Sequence, residues 1–114
     1  VFGALLTERI EESAAFRGNG DTFVFTYGRG EDIKVYLATG LNQKYQLIDQ
    51  EVLIVGGATH HEGRPAIILS DNFKRGFSGP CDTFSSKSLC GQGKLAETQS
   101  GCFVVEKMEI WGFY

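Results

Sequence analysis

Four groups of residues have the types and spacing that invite chemistry. Ser78 sits in Gly76-Phe77-Ser78-Gly79-Pro80, which is close to the Gly-x-Ser-x-Gly elbow that presents a nucleophilic serine. That elbow needs a strand before it and a helix after it. Here the fifth residue is proline and Cys81-Asp82-Thr83 follows, so the reading favoured is a tight turn with Ser78 bonded to backbone. His60-His61-Glu62 suggests a metal. Adjacent histidines on a strand point to opposite faces, and no further ligand stands at a recognisable spacing, so a solvated hairpin tip is the better reading. Cys81 is the candidate redox thiol. A reactive thiolate needs nearby cations or a helix N-terminus, and Lys74, Arg75 and Lys87 are near only in sequence; a buried structural thiol is the simpler expectation. The carboxylates Asp21, Asp71, Asp82 and Glu109 are not paired by spacing and read as turn, cap or rim residues.

These side chains must be carried by strands. The chain has 114 residues, which suits one domain with one core. It holds 9 Phe, 4 Tyr and 15 Gly, a combination that points to strands joined by tight turns. Strands are expected at 1–6, 22–27, 33–38, 44–49, 52–55 and 66–69, with Phe23, Phe25 and Tyr27 on one face of their strand and Ile33, Val35 and Leu37 together on theirs. Residues 7–15 are polar and read as a loop or a single turn, and 71–74 as one helical turn. The irregular stretch 77–99 is long for a compact domain and should be anchored at a few points, of which Cys81, Phe84 and Leu89 are the apolar candidates. From Phe103 to Phe113 apolar residues fall on both parities, as in a strand covered on both faces, so this segment is expected to be central, with Glu109 at a rim or hydrogen-bonded. The expected fold is mainly β: an antiparallel two-sheet β-sandwich with short peripheral helical turns.

The net charge of −3 argues against nucleic acid and against unspecific binding to acidic membranes. Three cysteines without a C-x-x-C pattern favour reduced thiols. The chain opens directly on an apolar strand-like segment, which reads as a cut through a larger protein.

Several segments, in order, resemble one family. They are Val1-Phe2-Gly3-Ala4, then Gly18-Asn19-Gly20-Asp21-Thr22-Phe23-Val24-Phe25, then Lys34-Val35-Tyr36 with Thr39-Gly40-Leu41-Asn42, then Gly56-Gly57. Leu69-Ser70-Asp71, Gly76 through Phe84, and the ending from Phe103 to Phe113 complete the series. The chain is similar in these motifs to the TLDc domain, the module of the oxidation-resistance proteins. The resemblance implies a β-sandwich that lacks its N-terminal strand-and-helix region here. It implies a non-catalytic, cofactor-free interaction domain that binds the vacuolar proton-pumping ATPase and takes part in oxidative-stress resistance. Partner contact would fall to Asp21, Glu109 and Asp71, in a cytoplasmic protein recruited to the vacuolar or lysosomal surface. Two alternatives stand beside it. One is thiol redox chemistry at Cys81. The other is phosphoinositide binding, for which Lys74, Arg75, Lys87, Lys94 and Lys107 are the available cations.

Overall fold

A computed structural model describes residues 1–27, 32–57, 64–89 and 102–112. It contains two antiparallel sheets. The first has β1 (Phe2–Leu5), β2 (Phe23–Thr26) and β3 (Lys34–Leu37), in that order. The second has β4 (Gln46–Asp49), β5 (Val52–Val55), β6 (Ile67–Ser70), β7 (Arg75–Phe77) and β8 (Cys102–Val104), also in chain order. Within each sheet consecutive strands are therefore neighbours, the β3–β4 connection passes from one sheet to the other, and the sequence-expected strands appear where the apolar runs are.

Register decides which residues meet. Ala4 pairs with Val24 and Val24 with Tyr36, so these three share the face turned to the core. Ile48, Leu53, Leu69, Gly76 and Phe103 line up across all five strands of the second sheet, with Gln46, Val55 and Ile67 beside them. The two inner faces meet in one apolar cluster centred on Val24, Ile48, Leu53, Val55, Ile67 and Leu69. At one margin Phe2 of β1 meets Phe103 of β8 edge to face, with ring centroids 5.1 Å apart and planes at 79°. Gly76 makes room for that ring, because a Cβ there would lie 2.4 Å from Phe103 Cζ.

Phe23, Phe25 and Tyr27 do share a face, as do Ile33, Val35 and Leu37, but it is the outer one. Val24 is fully buried, whereas Val35 and Leu37 are 48% and 68% exposed. Alternation fixes which residues go together; it does not say which set goes inward.

Residues 7–17 form a loop tied to β4. The buried Gln46 side chain accepts from the Glu8 amide at 3.1 Å and donates to the carbonyls of Glu8 and Arg9 at 3.2 Å. Arg17 exchanges backbone bonds with Gln46, and the Ser13 amide donates to Ile48 O. This covers the β4 edge, which would otherwise present unpaired backbone. The Arg17 guanidinium donates to Glu11 at 2.7 Å, and that bond, with the charge behind it, holds the Glu11 carboxyl below the usual glutamate range.

Two expectations fail. Residues 71–74 are not a right-handed helical turn. Asp71, Asn72 and Phe73 have φ of 51°, 54° and 64°, a left-handed turn that reverses the chain from β6 into β7. The run of positive φ closes a tight hairpin that brings Arg75 back beside Ser70. The C-terminal stretch is not a central strand. β8 ends at Val104, forms the outermost strand of its sheet, and leaves Ile110 and Trp111 60% and 77% exposed. Apolar residues on both parities show that a segment suits burial on two faces; a neighbouring strand must still exist to pair with it, and among the described residues none does.

Candidate functional site

The segment from Ser78 to Leu89 is irregular but densely hydrogen-bonded. It is held on three sides. At its start and end, Ser78 Oγ accepts from the Leu89 amide at 2.7 Å, and Ser88 Oγ donates to Ser78 O at 2.9 Å. In the middle, Cys81 and Ser86 exchange backbone bonds around a tight turn in which Ser85 has φ of 51°. Toward the sheets, Thr83 is fully buried and its hydroxyl accepts from the Gly57 amide at 2.9 Å. That hydroxyl's own proton lies within reach of Asn42 Oδ1 at 2.8 Å and of Gly57 O at 3.2 Å. The Thr39 amide and hydroxyl donate to Thr83 O, and Thr26 Oγ1 donates to Leu89 O at 2.9 Å. A buried loop must satisfy its backbone groups, and here side-chain hydroxyls do much of it.

The apolar anchors are those expected from sequence: Cys81, Phe84 and Leu89 are exposed by only 3%, 2% and 3%. Phe84 and Cys81 press on Gly56, which has φ of +81°; a Cβ there would stand 2.6 Å from Cys81 Sγ. Glycine is required at that position twice over, by backbone and by space. Ser78 is 1% exposed and bonded to backbone, as expected, but the expected tight turn is not there: residues 78–80 run beside residues 64–65, with the Gly79 amide donating to Pro65 O and the Arg64 amide to Pro80 O, and no helix follows within the described loop. The Cys81 thiol is enclosed and points at Gly57 O, 3.6 Å away. That geometry fits a structural thiol.

The carboxylates singled out from sequence stand on separate surface features. Asp21 is exposed in the turn before β2, where its amide donates to Asn19 Oδ1 at 2.8 Å. Asp71 opens the left-handed β6–β7 turn, with Arg75 Nε 3.9 Å from its carboxylate. Glu109 is exposed on the C-terminal segment; it pairs with Lys107 at 3.1 Å and accepts from Trp111 Nε1 at 3.3 Å. The hydrogen-bonded partner foreseen for Glu109 is present, but its buried setting is not. His60, His61, Glu62, Cys90 and Lys94 lie outside the described residues. Of the cations considered for phosphoinositide, Lys74 and Arg75 sit together on the β6–β7 hairpin, Arg75 beside Asp71, and Lys107 is taken by Glu109.

Sequence reading missed an open groove of about 460 Å³ on the outer face of β6, β7 and β8, lined by Ile68, Ser70, Arg75, Phe77, Cys102 and Val104. Cys102 is a free, exposed thiol on it. It could have been found from strand parity once β7 was recognised, but β7 is only three residues long and contains a glycine.

The hydroxyl-pinned loop and its glycine partner carry two of the motifs that resemble the TLDc domain, and a family model for the TLDc domain matches residues 1–114. The chain belongs to the TLDc domain family. Oxidation resistance protein 1 of Homo sapiens is 33% identical over 113 residues, covering 99% of this chain and 11% of that protein. The Xenopus laevis protein of the same name is also 33% identical, with 99% and 12% covered. Nuclear receptor coactivator 7 of Homo sapiens is 28% identical over 113 residues, with 99% and 11% covered. The chain thus spans 11–12% of the length of these curated relatives. In this TLDc chain, the Gly-x-Ser-x-x-Cys-x-Thr-Phe motif is scaffold: each of Ser78, Cys81, Thr83 and Phe84 is buried and engaged.

Proposed function

We propose that this TLDc domain is a non-catalytic interaction module that binds and regulates the vacuolar proton-pumping ATPase and contributes to resistance against oxidative stress. The observation that carries the reading is the family match along the whole chain, together with relatives named for oxidation resistance. Neither the family's name nor those of the relatives is an enzyme name. The geometry supports it in one further respect. The residue types that suggested catalysis, Ser78 and Cys81, are spent on holding a loop in place, and a rigid sandwich with exposed acidic turns is a support for surface recognition. In this reading Asp21, Asp71 and Glu109 supply partner contacts, the protein acts in the cytoplasm, and it reaches the vacuolar or lysosomal surface through the pump. The reading also includes a strand-and-helix region of the domain upstream of Val1.

The test adds the protein to intact vacuolar ATPase and follows ATP hydrolysis and release of the soluble sector together. A dose-dependent change, weakened by Asp21→Ala or Glu109→Ala in variants with an unchanged circular dichroism spectrum, is expected. An effect seen only with the upstream region included assigns part of the surface to that region. No effect with either form removes the pump from the account.

A further inference from the structure

The chain holds three asparagines, Asn19, Asn42 and Asn72, in three different settings. Asn42 is followed by Gln43 and is drawn toward the buried loop, where its Oδ1 lies 2.8 Å from Thr83 Oγ1 and accepts from the Lys44 amide at 3.0 Å. Asn72 is followed by Phe73, and both stand in the left-handed β6–β7 turn. Asn19 is followed by Gly20, and both are exposed. The Asn19 side chain is turned toward the residues after it, since its Oδ1 accepts from the Asp21 amide. That bond polarises the side-chain amide and leaves its carbon more electrophilic. Among the described residues the Gly20 amide donates to no acceptor. The space around it is open as well: a Cβ on Gly20 would meet only Tyr45 Oη, at 3.9 Å.

We infer that Asn19-Gly20 is a modification site, at which the chain deamidates spontaneously. The Gly20 amide nitrogen loses its proton and attacks Asn19 Cγ. A C–N bond forms, the Cγ–Nδ2 bond breaks and ammonia leaves, which gives a cyclic imide. Water then opens the ring at either carbonyl. Opening at Cγ yields aspartate at position 19. Opening at the main-chain carbonyl yields isoaspartate, in which the chain runs through Cβ and Cγ. Water is the only co-reactant, and nothing is oxidised or reduced. Glycine admits the attack, because a side chain on the following residue would crowd the nitrogen. Either product adds one negative charge beside Asp21, to a chain whose net charge is −3. Isoaspartate also lengthens the main chain by one carbon. The Asn19 carbonyl, which accepts from the Thr22 amide at 3.1 Å, then belongs to a free carboxylate, and the turn that leads through the buried Thr22 into β2 loses its register. The reaction is independent of the pump reading, although its turn is the one that carries Asp21.

Incubation of the 114-residue chain for several weeks at body temperature and neutral pH, followed by peptide mapping with electron-transfer fragmentation to separate aspartate from isoaspartate, tests it. Conversion at Asn19 should be at least tenfold faster than at Asn42 or Asn72, with both products formed, and should quicken as pH rises, because the Gly20 amide must lose its proton. Gly20→Ala, for which the structure leaves room, should slow conversion at least tenfold with an unchanged circular dichroism spectrum. The same incubation in urea gives the rate of the unfolded chain, and the folded chain should react at a comparable rate. An Asn19 that stays intact, or that converts only in urea, overturns the inference. So does conversion no faster than at Asn42 and Asn72, a rate that does not rise with pH, or a Gly20→Ala variant that converts like the parent.

Discussion

The loop from Ser78 to Leu89 and the segment from Val105 to Gly112 are both irregular, and their amino acids suggest the wrong fates for each. The loop is rich in serine and threonine, yet Ser78 and Thr83 are almost wholly enclosed. The C-terminal segment holds Met108, Ile110 and Trp111, yet they are 38%, 60% and 77% exposed. The difference lies in partners. Hydroxyls at Ser78 and Thr83 find backbone groups at Leu89 and Gly57, and three apolar anchors fill the space behind them. The C-terminal segment is tied to the β6–β7 turn by a backbone bond from the Val105 amide to Lys74 O, and beyond it there is no strand to pair with among the described residues. Burial follows the availability of partners, and composition alone does not supply them.

Three substitutions sharpen that contrast, beginning with the largest. Phe84→Ala empties the space between the loop and Gly56 and should destabilise the domain by about 3–5 kcal/mol, the usual range for a buried phenylalanine; urea unfolding followed by circular dichroism measures it. Thr83→Val keeps the shape but leaves the Gly57 amide without its acceptor, and should cost about 1–3 kcal/mol in the same experiment. A loss within error would mean that the hydroxyl hook is ornamental. Trp111→Ala, despite removing the largest side chain, should change stability by no more than about 0.5 kcal/mol, as exposed positions generally do. A loss above that would mean Trp111 is packed and would break the comparison.

The same contrast explains what could be read from sequence. Six strands were legible because runs such as Phe23 to Thr26 and Val52 to Val55 carry their own signal, bounded by glycine or by polar turns. The three loop anchors were legible because few apolar residues occur in that stretch. β7 was not, since Arg75-Gly76-Phe77 becomes a strand only through its neighbours Ile68 to Ser70 and Cys102 to Val104. The turn before it was misread because right- and left-handed turns take similar residues, Asp and Asn above all. The inward face of β2 was undecidable locally. Val24 goes in because Ala4 and Tyr36 stand beside it, and that register is a property of the whole sheet. Of the site residues, Ser78 and Cys81 declared a backbone-bonded hydroxyl and a buried thiol through their surroundings, although the tight turn expected around Ser78 is absent. Glu109 did not declare its exposure, because its neighbours Met108 and Ile110 resemble a core strand.

Amide hydrogen exchange read at two places tests the central claim most directly. The Gly57 and Leu89 amides, which donate to Thr83 Oγ1 and Ser78 Oγ, should exchange only through global unfolding, as slowly as the strand amides of β5. The amides from Glu106 to Gly112 should exchange at nearly unprotected rates. Fast exchange at Gly57 and Leu89, or strong protection from Glu106 to Gly112, would contradict the account.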